Sequence, residues 1–180
     1  MRKTLILILV FLFPAGLSAH EYLLEAEAFA DKGGWVVDQQ FMDIMGSSYL
    51  LAHGMGTPVD DAITSIVLPD KGAYHIYVRT YNWTSPWYNG EGPGRFRLGV
   101  NGHRLPAELG ATGKNWIWQY AGMAVVESPC IKVSLHDLTG FDGRCDAIYF
   151  STERNDNLPQ DKEEMETLRR RLLPGYEDSH

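Results

Sequence analysis

The chain has 180 residues, 44% hydrophobic and 22% charged, the profile of one ordinary globular domain rather than a disordered tail, a collagen-like fibre or a multi-span membrane protein. Lys and Arg number 16 against 23 Asp and Glu, a formal net charge of −7, so the clustered basic surface that grips phosphate backbones is missing and nucleic acid is not an expected partner. The 18 Gly and 9 Pro, among 5 Trp, 9 Tyr and 7 Phe, point to short strands and tight turns. They leave open whether the aromatics fill a core or face a ligand.

Arg2 and Lys3 precede the apolar run Leu5–Phe13, which exits through Pro14, Ala15, Gly16, Leu17, Ser18 and Ala19. A basic start, a short apolar segment and a small-residue exit read as a secretory signal peptide cleaved near Ala19. The run is too short to cross a hydrocarbon layer of roughly 30 Å, so no membrane span is expected. The mature protein is then secreted or periplasmic. That compartment permits disulfides, but register argues against bridging Cys130 and Cys145. If Ile131–Leu138 and Arg144–Ser151 form a hairpin, Cys145 lies opposite residue 136 or 137, so two buried free thiols are expected.

From residue 20 onward the periodicity is near two. Strands are expected at Tyr22–Phe29, Trp35–Phe41, Tyr49–His53, Ala62–Leu68, Tyr74–Arg79, Phe96–Val100, Trp116–Tyr120, Ile131–Leu138 and Arg144–Ser151. Turn signals separate them at Pro69–Gly72, Asn89–Gly94 and Thr139–Gly143. Asn101-Gly102, before a short run at His103, is a strong two-residue hairpin signal. Many short strands without βαβ alternation predict an all-β antiparallel sandwich of jelly-roll type over residues 20–152. In the tail, 153–180, Pro159–Leu173 carries Asp161, Glu163 and Glu164 early and Arg169, Arg170 and Arg171 late, matching charge to a helix dipole. Met165, Leu168 and Leu172 share one face. The segment reads as a short helix that either packs on the sandwich or begins a linker.

Phosphate-loop, GxSxG and HExxH signatures are missing, and Gly90–Gly94 precedes a strand, so no enzyme is expected. Among scattered histidines, His53 stands out for its flanking glycines. Glu25 and Glu27, at i and i+2 on a strand, point to one face roughly 7 Å apart. Two carboxylates there repel unless a cation or donors intervene. Asp146 would join them if the first and last strands are neighbours, giving an oxygen set of the kind Ca²⁺ takes. A solvated edge-strand pair reads equally well.

The segment Arg79-Thr80-Tyr81-Asn82-Trp83-Thr84-Ser85-Pro86-Trp87-Tyr88-Asn89 leaves a strand and enters a Gly-rich loop. Exposed aromatic rings can stack on the C–H faces of sugars while amide and guanidinium groups bind hydroxyls. Pro86 disfavours continuing the strand, which places Trp87 in the loop. Arg79, Asn82, Trp83, Trp87, Tyr88 and Trp118 are therefore the expected ligand-binding residues. At least one of Trp116 and Trp118 is expected in the core. Asn82-Trp83-Thr84 is also a glycosylation sequon, relevant only in a eukaryotic host.

Glu25-Ala26-Glu27, Gly72-Ala73-Tyr74 leading into Tyr77-Val78-Arg79, and Cys145-Asp146-Ala147-Ile148 together resemble carbohydrate-binding modules of families 6 and 35. The resemblance implies a galactose-binding-like jelly roll in which Glu25, Glu27 and Asp146 hold a structural calcium. Longer stretches, among them Gly33–Phe41, Tyr49–Gly54, Arg79–Trp83 and Leu138–Asp146, look like the golvesin/xanthan-lyase type of module, over residues 21–152. Such modules stand at the front of secreted bacterial FAD-dependent oxidoreductases. This sequence reaches His180 without a glycine-rich dinucleotide fold, so FAD chemistry is not expected in it. The expected function is a secreted, non-catalytic glycan-binding module. The alternative is a structural or docking N-terminal domain of a truncated or split FAD-dependent oxidoreductase, with no ligand of its own and its aromatics packed inward or against a partner domain; Trp83 and Trp87 both buried would favour it.

Overall fold

The computed structural model describes residues 19–176, so nearly all of the expected signal peptide lies outside the described residues. Ten strands and two short helices follow in order: β1 (Glu21–Glu25), a 3₁₀ turn (Ala26–Ala28), β2 (Val36–Asp38), α1 (Met42–Met45), β3 (Tyr49–His53), β4 (Ala62–Val67), β5 (Gly72–Thr80), β6 (Phe96–Val100), β7 (His103–Arg104), β8 (Ile117–Val126), β9 (Cys130–Asp137), β10 (Phe141–Ser151) and α2 (Lys162–Leu172). They build the expected all-β sandwich of antiparallel sheets with a short C-terminal helix. Among the described residues, no helix is long and apolar enough to cross a membrane.

The six-stranded sheet runs β2-β3-β10-β5-β8, with β1 also paired to β10. The four-stranded sheet runs β4-β9-β6-β7. β10 is the spine of the larger sheet. Its second half, Ala147–Ser151, pairs with β1. Its first half, Phe141–Cys145, pairs with β3. Cys145–Ser151 pairs with β5. The first and last strands are therefore neighbours, as the clustering of Glu25 with Asp146 requires.

The smaller sheet shows the one-sided alternation of a half-solvated strand: in β4, Ala62, Thr64 and Ile66 are buried between more exposed neighbours. β10 is buried continuously from Gly143 to Ser151 instead, because both of its faces are covered. Ile148 and Phe150 face the core between the sheets, where Trp35 meets Phe96 edge-on at 5.4 Å. Ala147 and Tyr149 face outward, under Met165 and Leu168 of α2. Fully burying one such apolar side chain is worth about 1.5–3 kcal/mol, which is what docks a helix of only three turns. The tail helix packs on the sandwich and is not a linker.

Asn101-Gly102 makes the expected tight turn, with φ of +50° and +82°. The expected hairpin between β9 and β10 does not form. β9 pairs with β4 and β6 in one sheet, while β10 belongs to the other, so the 138–140 turn is a crossover between layers. Buried Asp137 organises it by accepting from the amides of Val59, Thr139 and Gly140. Gly140 has φ of +68°, and a Cβ there would lie 2.1 Å from the Thr57 carbonyl oxygen.

Both cysteines are free, as expected, but only Cys145 is buried; Cys130 is exposed at the start of β9. Burial pushes the Cys145 thiol well up, which makes it inert. A thiol reagent should therefore titrate one cysteine in the native protein and both after denaturation, and Cys130→Ser should remove the native reaction. Rapid native labelling of both thiols would contradict this packing.

Candidate functional site

The three carboxylates do gather, but not on one strand. β1 ends at Glu25, and the chain turns through 3₁₀ geometry at Ala26–Ala28, so Glu27 leaves the sheet. Asp146 is the extra residue of a β-bulge: Cys145 pairs with Thr80 and Ala147 with Arg79, leaving Asp146 unopposed. Bulges re-aim side chains, and this one turns Asp146 into the protein, fully buried.

Each carboxylate meets a different fate. Asp146 accepts from Ser47 Oγ at 2.8 Å through Oδ1 and from Arg79 at 2.8 Å through Oδ2. Glu25 accepts from Arg169 Nε at 2.8 Å and, through its other oxygen, from a terminal nitrogen of the same guanidinium at 3.4 Å. Arg169 also donates to Ser47 Oγ at 2.7 Å and to the Met45 carbonyl at 2.9 Å. Glu27 Oε2 is buried with no hydrogen-bond partner.

The electrostatics follow this division. Burial, and then the nearby Glu25 charge, push the Glu27 carboxyl up to about 8. Burial and Asp146 push Glu25 up to about 7, against the pull of Arg169. Burial works against the charge on Arg169, but Glu25 and Asp146 outweigh it and raise its pKa. With Glu27 protonated, Glu25 and Asp146 are balanced by Arg79 and Arg169. Ca²⁺ needs six to eight oxygen ligands, whereas here Glu25, Asp146, Ser47 and the Met45 carbonyl are already engaged. The donor set as folded fits guanidinium groups, not a calcium ion. Among the described residues, no group of three or more His, Cys, Asp or Glu is arranged to hold a metal. His53 stands apart, paired with Asp142 at 2.6 Å.

The expected ligand residues separate into two sets. Arg79 is only 1% exposed, spent on Asp146 and on the Gln160 carbonyl, which it reaches at 2.8 Å. Asn82 is 2% exposed; its Oδ1 accepts from the amide and hydroxyl of Thr84, and its Nδ2 donates to the Gly90 carbonyl. Its burial also closes the sequon. Trp118 donates to the Pro159 carbonyl and packs edge-on against Tyr149 beside α2. These three hold structure together rather than face solvent. Trp83 is half-buried, donating to the Phe141 carbonyl at 2.9 Å with the Arg144 guanidinium 5.8 Å from its ring centre.

Trp87 and Tyr88 do face solvent, at 81% and 60% exposure. Their amides both donate to the Thr84 carbonyl, a turn that fixes the backbone carrying the two rings. Beside them lies a depression of about 450 Å³ lined by Tyr88 and the polar side chains of Ser85, Asn89, Glu91, Thr112 and Lys114.

Sequence reading missed a second concavity, of about 640 Å³, between α1, the Tyr81 and Trp116 ends of β5 and β8, and the start of α2. Phe41, Tyr81 and Trp116 line it, with Trp116 stacked on Tyr81 at 5.4 Å. Two buried donors among its lining residues, Trp116 Nε1 and Arg79 Nε, have no partner. Trp116 itself is buried, as expected for at least one of the pair with Trp118. The groove was illegible because α1 and the approach of α2 leave little trace in a strand-period pattern.

No protein-family model and no curated protein sequence matches the chain. Solved structures do. A Podospora anserina GH26-CBM35 β-(1,4)-mannanase matches over 77% of this chain at 17% identity and a TM-score of 0.56, with this chain spanning only 29% of that one. A CBM35 from Paenibacillus barcinonensis matches over 73% of this chain and 98% of its own length, at 16% identity and a TM-score of 0.54. The C-terminal CBM6 of a laminarinase from Zobellia galactanivorans matches over 73% of this chain and 99% of its own, at 18% identity and a TM-score of 0.51. The fold is that of a CBM6/CBM35-type carbohydrate-binding module. At these identities the likeness establishes architecture alone.

Glu27 gives the cluster a pH signature. Its folded pKa of about 8 lies above its ordinary 4.5, so the folded state holds a proton that the unfolded state has lost. That contribution to stability is complete below pH 4.5 and falls away as pH rises toward 8. Glu27→Gln should lose this share of the pH dependence, keeping only that of Glu25, whose pKa is raised to about 7, and should melt at a higher temperature than the parent at pH 9 by a few degrees, about 1 kcal/mol or more. Lower stability of the variant at pH 9 would show that the ionised carboxylate is needed.

Proposed function

We propose that this chain is a secreted, non-catalytic glycan-binding module whose ligand stacks on Trp87 and Tyr88 and reaches into the adjacent depression. The observation that carries the reading is the outward display of these two neighbouring rings from one turn. Large exposed aromatics held by a fixed backbone lose little entropy on binding and offer flat apolar faces. The hydroxyls of Ser85 and Thr112, the Asn89 amide, Glu91 and Lys114 supply donors and acceptors at the right scale for sugar hydroxyls. The larger groove is a weaker candidate, because Trp116 is buried and stacked on Tyr81 and has no free face to offer.

The likeness to carbohydrate-binding modules speaks for the same class of ligand, and the apolar leader at Leu5–Phe13 speaks for export to where polysaccharides are met. Burial of both Trp83 and Trp87 would have favoured a docking domain that binds no ligand of its own; Trp87 is exposed, and its ring is free for a ligand.

Affinity electrophoresis through a panel of neutral plant and microbial polysaccharides tests the proposal. The parent should be retarded by at least one. Trp87→Ala and Tyr88→Ala should each weaken binding about tenfold, some 1.4 kcal/mol, with melting temperature little changed because both rings are mostly exposed. Retardation by no polysaccharide, or equal retardation of both variants, would refute it.

A further inference from the structure

Of the carboxylates expected to hold a calcium ion, Glu25 is taken by Arg169, and Asp146 Oδ2 lies 3.7 Å from the same guanidinium. We infer that Arg169, carried in on α2, takes the structural place of that cation, so that the sandwich is closed by its own C-terminal helix and owes no stability to calcium. The inference concerns the acidic cluster and is independent of the glycan reading.

Four observations carry it. First, Arg169 is 1% exposed, although arginine is almost never fully buried unless paired. It lies in sequence 144 residues from its main partner, Glu25. Second, its planar fork reaches the kinds of oxygen a hard cation collects: both carboxylate oxygens of Glu25, the Ser47 hydroxyl and the Met45 carbonyl. A terminal nitrogen also lies 3.7 Å from Asp146 Oδ2. Third, the remaining Asp146 contacts belong to Ser47 and to a second buried guanidinium, Arg79. A calcium ion entering here would have to displace Arg169 and then sit beside Arg79, exchanging paired charges for repulsion. Fourth, the helix is built to deliver the group. Asp161 caps its first turn by accepting from the Glu164 amide at 2.9 Å, and Met165 and Leu168 seat its apolar face on Leu23, Tyr77 and Tyr149. Arg169 follows Met165 by four residues and therefore emerges from the seated face, not from the solvent face.

A tethered cation differs from a bound one in a measurable way. A free ligand that binds only the folded state stabilises it according to its concentration. A side chain contributes at a fixed value that no chelator can remove.

The experiment uses the full mature chain and reads melting temperature. In the parent it should be the same in EDTA and in millimolar Ca²⁺. Arg169→Met should lower it by roughly 10 °C or more, as expected for stranding a buried charge. Adding Glu25→Gln to Arg169→Met should restore part of the loss, because the stranded charge is then gone. A parent that melts lower in EDTA and is restored by Ca²⁺ would overturn the inference. So would an Arg169→Met variant as stable as the parent, or losses from the two substitutions that simply add. Should Arg169→Met fail to fold, recovery of a folded protein on adding Glu25→Gln supports the inference, and a double variant that also fails to fold overturns it.

Discussion

The structure depends on a buried electrostatic balance: Glu25 and Asp146 against Arg169 and Arg79. Removing ionised groups from water costs several kcal/mol each, and that cost is recovered only when geometry is good and remaining donors and acceptors are met. Here one cluster draws on β1, β5, β10, α2 and the turn after α1. The β10 bulge supplies Asp146, the end of β1 supplies Glu25, and the α1 turn supplies the Met45 carbonyl and Ser47. No member can shift without stranding a charge on another. The sandwich core explains why the sheets pack, and this cluster explains why the ends of the chain converge where they do.

The same cluster accounts for the pattern of what sequence could reveal. Strands with one wet face, such as β4 and β9, alternate visibly and were legible. So was Asn101-Gly102, whose left-handed conformations few other dipeptides tolerate. β10 has no wet face, so its alternation says nothing about which side meets a helix and which a second sheet. The Leu138–Gly143 segment has turn chemistry that suits a hairpin as well as a crossover. What decides between them is the pairing of β9 with β4 and β6, a long-range choice with no local mark.

For the site, local chemistry was a better guide than strand phase. Pro86 and the glycines beyond it correctly placed Trp87 and Tyr88 outside the sheet. Arg79 and Asn82 are buried, which their place near a strand end does not reveal: a residue there faces solvent only if nothing packs on it, and here the approach of α2 and a loop-closing amide do. The acidic cluster shows a different limit. Two glutamates and a distant aspartate announce that positive charge must arrive, without saying from where. Its source was written in the helix: Met165, Leu168, Arg169 and Leu172 fall at i, i+3, i+4 and i+7, the spacing of one face. Arg169 is a charged residue inside an apolar stripe, but as one of three consecutive arginines near a helix C-terminus it reads first as a partner for the dipole.

Arg79 and Asn82 connect the two halves of the molecule. Arg79 stands at the end of β5 with its guanidinium committed to Asp146 and Gln160, and three residues later the buried Asn82 side chain ties Thr84 to Gly90. Between those two anchors the chain leaves the sheet and makes the turn on which Trp87 and Tyr88 are displayed. An exposed aromatic contributes to binding in proportion to how well its position is fixed beforehand, since ordering it on contact would consume the gain. The residues that appeared from sequence to be ligand contacts thus act one step earlier. They hold still the strand end and the loop from which the exposed rings project, and the charge balance that secures Arg79 is also what secures the base of that loop.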